Sequence, residues 1–312
     1  MPAFAFVFPG QGSQAVGMLD GFGDHPAVLR TLQEASDAID LDLGSLIRSG
    51  PKERLDLTTN TQPVMLAAGI ACLNAWRAEG GAEPAAVAGH SLGEYSALVA
   101  AGALDLADAM PLVRLRAEAM QKAVPVGEGA MAAILGLDAE VVRKACAEIE
   151  QERGQPVAAA NYNDPKQTVI AGSKAAVDAA CLRLKEMGAK RALLLAVSAP
   201  FHSPLMRPAA EALRGRLATV PIRSPRLPVI NNIDVAVCSD PDDIRDALYR
   251  QAFGPVRWVE VVHALQARGL QTVVECGPGK VLAGLLKRID ANITAATVAD
   301  PASLQATKEL VA

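Results

Sequence analysis

Ser91 stands at the centre of Gly89-His90-Ser91-Leu92-Gly93, a G-x-S-x-G spacing. Ala85 to Ala88 is a short apolar run that reads as a buried parallel strand, and Leu92 to Ala101 reads as a small-residue helix. Reversing from strand to helix in so few residues strains the backbone at the serine and lifts its hydroxyl to the carboxyl end of the sheet. The helix start aims N–H groups at the same spot, where developing negative charge is favoured. That arrangement suits a nucleophile that forms an acyl ester. A serine capping a helix in an ordinary turn would use the same letters, but the apolar strand before it and the alanine-rich helix after it favour the nucleophile.

Such a hydroxyl needs a base, and the chain has four histidines. His25 opens a helix beside Pro26, His90 adjoins the serine and should point away, and His263 sits within a helix. His202, in Ser198 to Pro204, is the best placed, although a histidine satisfied within its own loop is the commoner situation for any single one. At the N-terminus, Gly10 and Gly12 within Pro9 to Gln14 let backbone N–H groups turn toward an anion, or simply make the first turn of an α/β sheet. Arg116 and Met120 share one face of a helix expected from Asp105 to Gln121, while Arg114 points elsewhere. Either arginine alone also fits a solvated face.

The elements that must hold these groups follow an α/β alternation. Ala3 to Phe8 is strand-like, Pro26 to Ile39 carries a helical stripe, and Leu41 to Asn60 is irregular. Asn60 to Pro63 looks like the start of a buried helix running to Trp76, with Pro63 at an early position. From about Gly129 to Val197 the pattern becomes strand (130–135), helix (139–152), strand (157–160), strand (167–171), helix (174–187), strand (191–197). This βαββαβ order is the ferredoxin-like arrangement. The α/β pattern then resumes: helix 204–217, strand 227–230, helix 256–268, strand 272–275 and a further helix. The expected fold is therefore an α/β-hydrolase-like large domain with a parallel sheet (1–127 and 198–312), interrupted by a ferredoxin-like small domain (128–197). A cleft between the two is the natural ligand site.

Composition limits the function classes. A net charge of −4 over 312 residues argues against nucleic acid as a main ligand, and the longest strongly apolar run, Val64 to Trp76, is too short to span a membrane. The N-terminus has no basic segment before its short apolar run. Five cysteines without a C-x-x-C fit buried thiols in a reducing cytoplasm rather than a disulfide framework or a metal site.

Phe8 to Gln14 (FPGQGSQ), Thr61-Gln62-Pro63, Gly89 to Tyr95 (GHSLGEY), Arg114 to Met120 (RLRxxxM), Phe201-His202-Ser203 and Glu275 to Lys280 (ECGPGK) occur in order and at matching spacing over nearly the whole chain. Together they resemble the malonyl-CoA:acyl carrier protein transacylases of bacterial fatty acid synthesis, and more broadly the acyltransferase domains of polyketide synthases. The resemblance implies Ser91 as nucleophile, His202 as base and then acid, and the Gln251 carbonyl as the group that orients the imidazole. It implies an oxyanion hole from the N–H groups of Gln11 and Leu92, and Arg116 as the partner of the malonate carboxylate. Phe201, Met120 and Gln62 would line the substrate pocket, with Phe201 against the α-carbon, and Asn161 and Asn163 would face the cleft from a loop.

No metal or permanently bound cofactor is implied. The expected partners are a CoA thioester and an acyl carrier protein, bound by a cytoplasmic monomer through a basic patch. Candidates for that patch are Lys190 and Arg191, with Lys280, Lys287 and Arg288 behind them. Rival readings are an acyltransferase serving a polyketide synthase or a malonate decarboxylase, an α/β-hydrolase esterase, and a catalytically dead carrier-binding module.

Overall fold

The computed structural model describes residues 3–312. Its larger sheet has five parallel strands in the order β7-β2-β1-β8-β9. They are β1 (Phe4–Phe8), β2 (Ala86–Gly89), β7 (Val229–Ile230), β8 (Thr272–Cys276) and β9 (Thr294–Val298). The alternation along β1 explains its central place. Phe4, Phe6 and Phe8 enter the apolar layer on one face, against Trp76 and the Thr58–Ala78 helix, while Ala5 and Val7 enter the layer on the other, with Trp258 and Val262. Parallel pairing brings Phe8 level with Gly89, so the turns after β1 and β2 leave the sheet side by side.

A separate antiparallel sheet has the order β4-β5-β3-β6, built from β3 (Gly129–Leu135), β4 (Val157–Asp164), β5 (Gln167–Ser173) and β6 (Arg191–Leu194). The Ala139–Arg153 and Lys174–Glu186 helices cover one face through Val142, Ile149, Val177 and Leu184. On the other face Met131, Ala133 and Val169 pack with Phe201. Backbone bonds join this unit to the main body: Tyr162 N–H donates to Val256 O (2.9 Å) and Val256 N–H to Ala160 O (2.8 Å).

Several segments depart from the sequence expectation. Leu41 to Asn60 is not irregular but holds the helices Leu43–Ser49 and Lys52–Leu55, each too short to display a periodic stripe. The buried helix starts at Thr58 rather than Asn60 and carries Pro63 at its sixth position. A proline so near the start removes only one bond, to a carbonyl of the first turn, so the helix tolerates it. The second strand of the small unit runs to Asp164 rather than Ala160, so Asn161 and Asn163 belong to β4 and not to a loop. Pairing with β5 and with Val256 outweighs the poor strand propensity of asparagine. β6 ends at Leu194. The Pro241–Gln251 helix, β9 and the Pro301–Val311 helix were not anticipated. Among the described residues no helix is long and apolar enough to cross a membrane.

Candidate active site

Ser91 sits just beyond β2 with φ +53°, and His202 has φ +60°, so both adopt a left-handed backbone that L side chains rarely hold. The turn needs its flanking glycines for space. A Cβ on Gly89 would lie 1.9 Å from the Gly93 backbone, and one on Gly93 would lie 2.0 Å from the Phe8 carbonyl oxygen. The conformation is pinned from outside the motif. Asn232 Oδ1 accepts from Ser91 N–H (2.7 Å) while its Nδ2 donates to Gly89 O (2.7 Å).

Ser91 Oγ and His202 Nε2 are 2.6 Å apart. On the far side of the ring, Nδ1 faces the carbonyl oxygens of Gln251 (3.0 Å) and Gly254 (3.1 Å). Carbonyls only accept, so Nδ1 carries the proton and Nε2 is left to accept the serine's. Burial, with the Arg116 charge second, pushes the His202 pKa down to about 3, which keeps the ring neutral, with its Nε2 lone pair free to accept. Among the described residues no carboxylate bonds to Nδ1, in contrast to a Ser-His-Asp triad.

Arg116 is 2% exposed and lies across from the serine. Its Nη2 donates to Ser91 Oγ (3.2 Å) and to Gln251 Oε1 (3.0 Å), and its Nη1 donates to Gln62 Oε1 (2.7 Å). The Tyr95 ring lies 5.4 Å from its Cζ, and Arg116 Nε and the Tyr95 hydroxyl are buried without a hydrogen-bond partner. Burial lowers the guanidinium pKa, while Tyr95 and Glu94 oppose that shift. A buried cation whose hydrogen-bond partners are two amide oxygens and a hydroxyl, all neutral, is a ready receptor for a carboxylate.

A cleft of about 550 Å³ opens over these groups, and Gln11, Leu92, Gln62, Met120 and Phe201 line it together with Ser91, His202 and Arg116. Neither the Gln11 nor the Leu92 N–H has a partner among the hydrogen bonds of the described residues, so both are available to an oxygen in the cleft. Asn161 and Asn163 also reach the wall, and Asn163 Oδ1 meets His90 Nε2 at 2.8 Å, which takes that ring away from the serine hydroxyl. Arg114 pairs with Glu118 at the surface.

The sequence reading missed three contributors, namely Asn232, the Glu94 carboxylate and the side chain of Gln251. An asparagine pair (Asn231, Asn232) directly after a short apolar strand was the available signal for the first. The proposed basic docking residues are not brought to the cleft. None of Lys190, Arg191, Lys280, Lys287 and Arg288 lines it, and Arg288 is bound to Asp164 (2.8 Å).

Comparison with known proteins matches a family model described as an acyl transferase domain over residues 5–303. A malonyl CoA-acyl carrier protein transacylase of Escherichia coli (strain K12) is 50% identical over 311 residues, covering 99% of this chain and 100% of that protein. A solved acyl-carrier-protein S-malonyltransferase from Burkholderia pseudomallei superposes with a TM-score of 0.96 at 61% identity, over 98% of this chain and 99% of that one. A malonyl-transacylase solved in complex with its type II PKS acyl-carrier protein gives a TM-score of 0.96 at 48% identity, over 99% of each chain.

Proposed function

The chain belongs to the acyltransferase family, and from that premise we propose that it transfers malonyl from malonyl-CoA to the phosphopantetheine thiol of an acyl carrier protein in fatty acid synthesis. The observation that carries this reading is that one hydroxyl, Ser91 Oγ, is shared by a neutral imidazole at 2.6 Å and a buried guanidinium at 3.2 Å. The first activates a nucleophile, and the second selects an acyl group with a free carboxylate.

In the first half-reaction His202 Nε2 takes the hydroxyl proton as Ser91 Oγ bonds to the thioester carbonyl carbon. The resulting oxyanion accepts from the N–H groups of Gln11 and Leu92. When the tetrahedral adduct collapses, the C–S bond breaks, His202 returns its proton to the departing sulfur, and a malonyl ester remains on Ser91. The second half reverses the roles: the carrier's thiol gives its proton to His202 as the sulfur bonds to the ester carbonyl carbon, and on collapse the C–O bond breaks and His202 returns the proton to Ser91 Oγ. Because a thiolate leaves readily, an imidazole oriented by the Gln251 and Gly254 carbonyls suffices without a carboxylate partner. Arg116 gives up its long bond to Ser91 Oγ for the malonate carboxylate, while the Gln62 and Gln251 amide oxygens continue to hold the guanidinium. Phe201 and Met120 limit bulk at the α-carbon, and Gln62 flanks the clamp.

We read residues 128–197 as a ferredoxin-like insertion into the large domain, a reading supported by the βαββαβ order and the β4-β5-β3-β6 strand order. Five free cysteines fit a reducing, cytoplasmic setting, and we read the enzyme as a monomer that binds its carrier transiently. The likeness to a transacylase solved with a polyketide carrier supports a second reading in which a polyketide carrier is served; competition between the two carrier types separates them.

The test of the covalent route is incubation with malonyl-CoA in the absence of carrier, followed by intact-mass analysis and peptide mapping. A malonyl adduct on Ser91, discharged by added holo-carrier, is expected. An unmodified protein that still turns over both substrates would refute the route.

A further inference from the structure

Glu94 lies in the first turn of the Gly93–Ala100 helix, is 2% exposed, and has no place in the reaction as derived above. Burial pushes its pKa up to about 7. Burying a carboxyl group is costly, and a residue needed only for packing at this position would be apolar. Its contacts converge on one atom. Glu94 Oε2 accepts from Asn232 N–H (2.8 Å) and from Gln251 Nε2 (3.1 Å). The Gln251 carboxamide in turn presents Oε1 to Arg116 Nη2 (3.0 Å) and uses Nε2 on Ser91 O (3.0 Å) as well as on Glu94. A carboxamide turned by half a revolution would aim its NH2 group at the guanidinium and its oxygen at two acceptors.

We propose that Glu94 is a positioning residue for recognition of the substrate carboxylate: by anchoring Gln251 Nε2 it fixes which end of that carboxamide meets Arg116, and so where the guanidinium points relative to Ser91. The inference rests on the malonyl-transfer reading and adds a residue to its specificity apparatus. Glu94 acts at one remove, through Gln251.

Because both accepted bonds fall on Oε2 alone, glutamine at this position can supply the same acceptor, whereas methionine fills the volume without one. The readout is the ratio of Ser91 loading rates with malonyl-CoA and acetyl-CoA, measured by single-turnover mass analysis. Loss of an anchor to a charged group is expected to lower the malonyl-to-acetyl ratio of Glu94→Met by about tenfold to about a hundredfold. Glu94→Gln should restore the ratio to within about threefold of wild type. In a Gln251→Met background, which keeps the backbone carbonyl that faces His202, Glu94→Met should produce no further fall in the ratio.

Equal slowing with both thioesters, a fall in Glu94→Gln as deep as in Glu94→Met, or independent additive effects of the two sites would each overturn the proposal. Should Glu94→Met not fold, Gln251→Met alone carries the test, and an unchanged ratio in it overturns the proposal. Wild-type enzyme run in parallel separates the two levels. Without a malonyl adduct on wild-type Ser91 the transfer reading fails, whereas a wild-type adduct with an insensitive ratio defeats only the role of Glu94.

Discussion

Removing the Arg116 side chain is the perturbation with the sharpest consequence. The guanidinium is buried at 2% exposure and donates to Gln62 Oε1, Gln251 Oε1 and Ser91 Oγ, so Arg116→Ala deletes the cation bonded to the nucleophile and leaves two amide oxygens without their donor. A malonyl thioester poised at Ser91 would then place an uncompensated carboxylate against the buried position the guanidinium had held. Breaking a buried charge pair by removing one partner costs about 3 to 5 kcal/mol, which corresponds to about a hundredfold to a few thousandfold in kcat/KM for malonyl-CoA. Acetyl-CoA has no carboxylate to lose a partner, so its slow loading should stay level or rise. Arg116→Lys keeps a charge but cannot offer the planar two-pronged fork, and should fall between, about tenfold below wild type. The assay is the rate of Ser91 acylation by each thioester in a rapid quench, with thermal unfolding as a control for folding. If both thioesters slow by the same factor in a folded Arg116→Ala protein, the guanidinium serves general structure and the clamp is wrong.

Two further outcomes follow from the site. The pKa of His202 is pushed down to about 3, first by burial and then by the positive charge of Arg116, so the neutral ring that acts as base persists as the solution is acidified. Acylation of Ser91 should therefore stay level from about pH 8 to about pH 5, and a rate that declines on acidification through the ordinary histidine range near 6.5 contradicts this account. Asn232→Ala removes both arms that pin the serine turn and leaves Ser91 N–H and Gly89 O unpaired, so kcat should drop about tenfold or more while KM for malonyl-CoA shifts less. Steady-state kinetics decides it, and a change confined to KM would point to substrate binding instead.

Ser91 stood out by its own turn, whereas His202 and Arg116 were ambiguous in their local strings and took their roles only from the family resemblance; the structure brings all three within hydrogen-bond reach. The run Ala3 to Phe8 was readable as a strand, and the structure adds that it is buried on both faces, Phe4, Phe6 and Phe8 on one and Ala5 and Val7 on the other. What escaped depends on contacts between distant positions. Glu94 was visible in its motif, but the partners that give it meaning, Asn232 and Gln251, lie 138 and 157 residues away. No local periodicity reports such a meeting. Asn161 and Asn163 looked like loop residues because their intrinsic preference is against strands, and only cross-strand bonds reverse it. Strand β9, Thr-Ala-Ala-Thr-Val, is too bland to announce itself and is formed by pairing with β8.

The ladder from Ala160 and Tyr162 to Val256 has a practical bearing on enzyme engineering. The small unit cannot be exchanged between related enzymes as a cassette cut at its two chain junctions, because part of its outermost strand is completed by a strip that arrives much later in the chain. A chimaera built to alter acyl choice must transplant that strip together with the insertion, or the borrowed strand will meet a foreign edge and leave amide groups stranded at the wall of the reaction chamber.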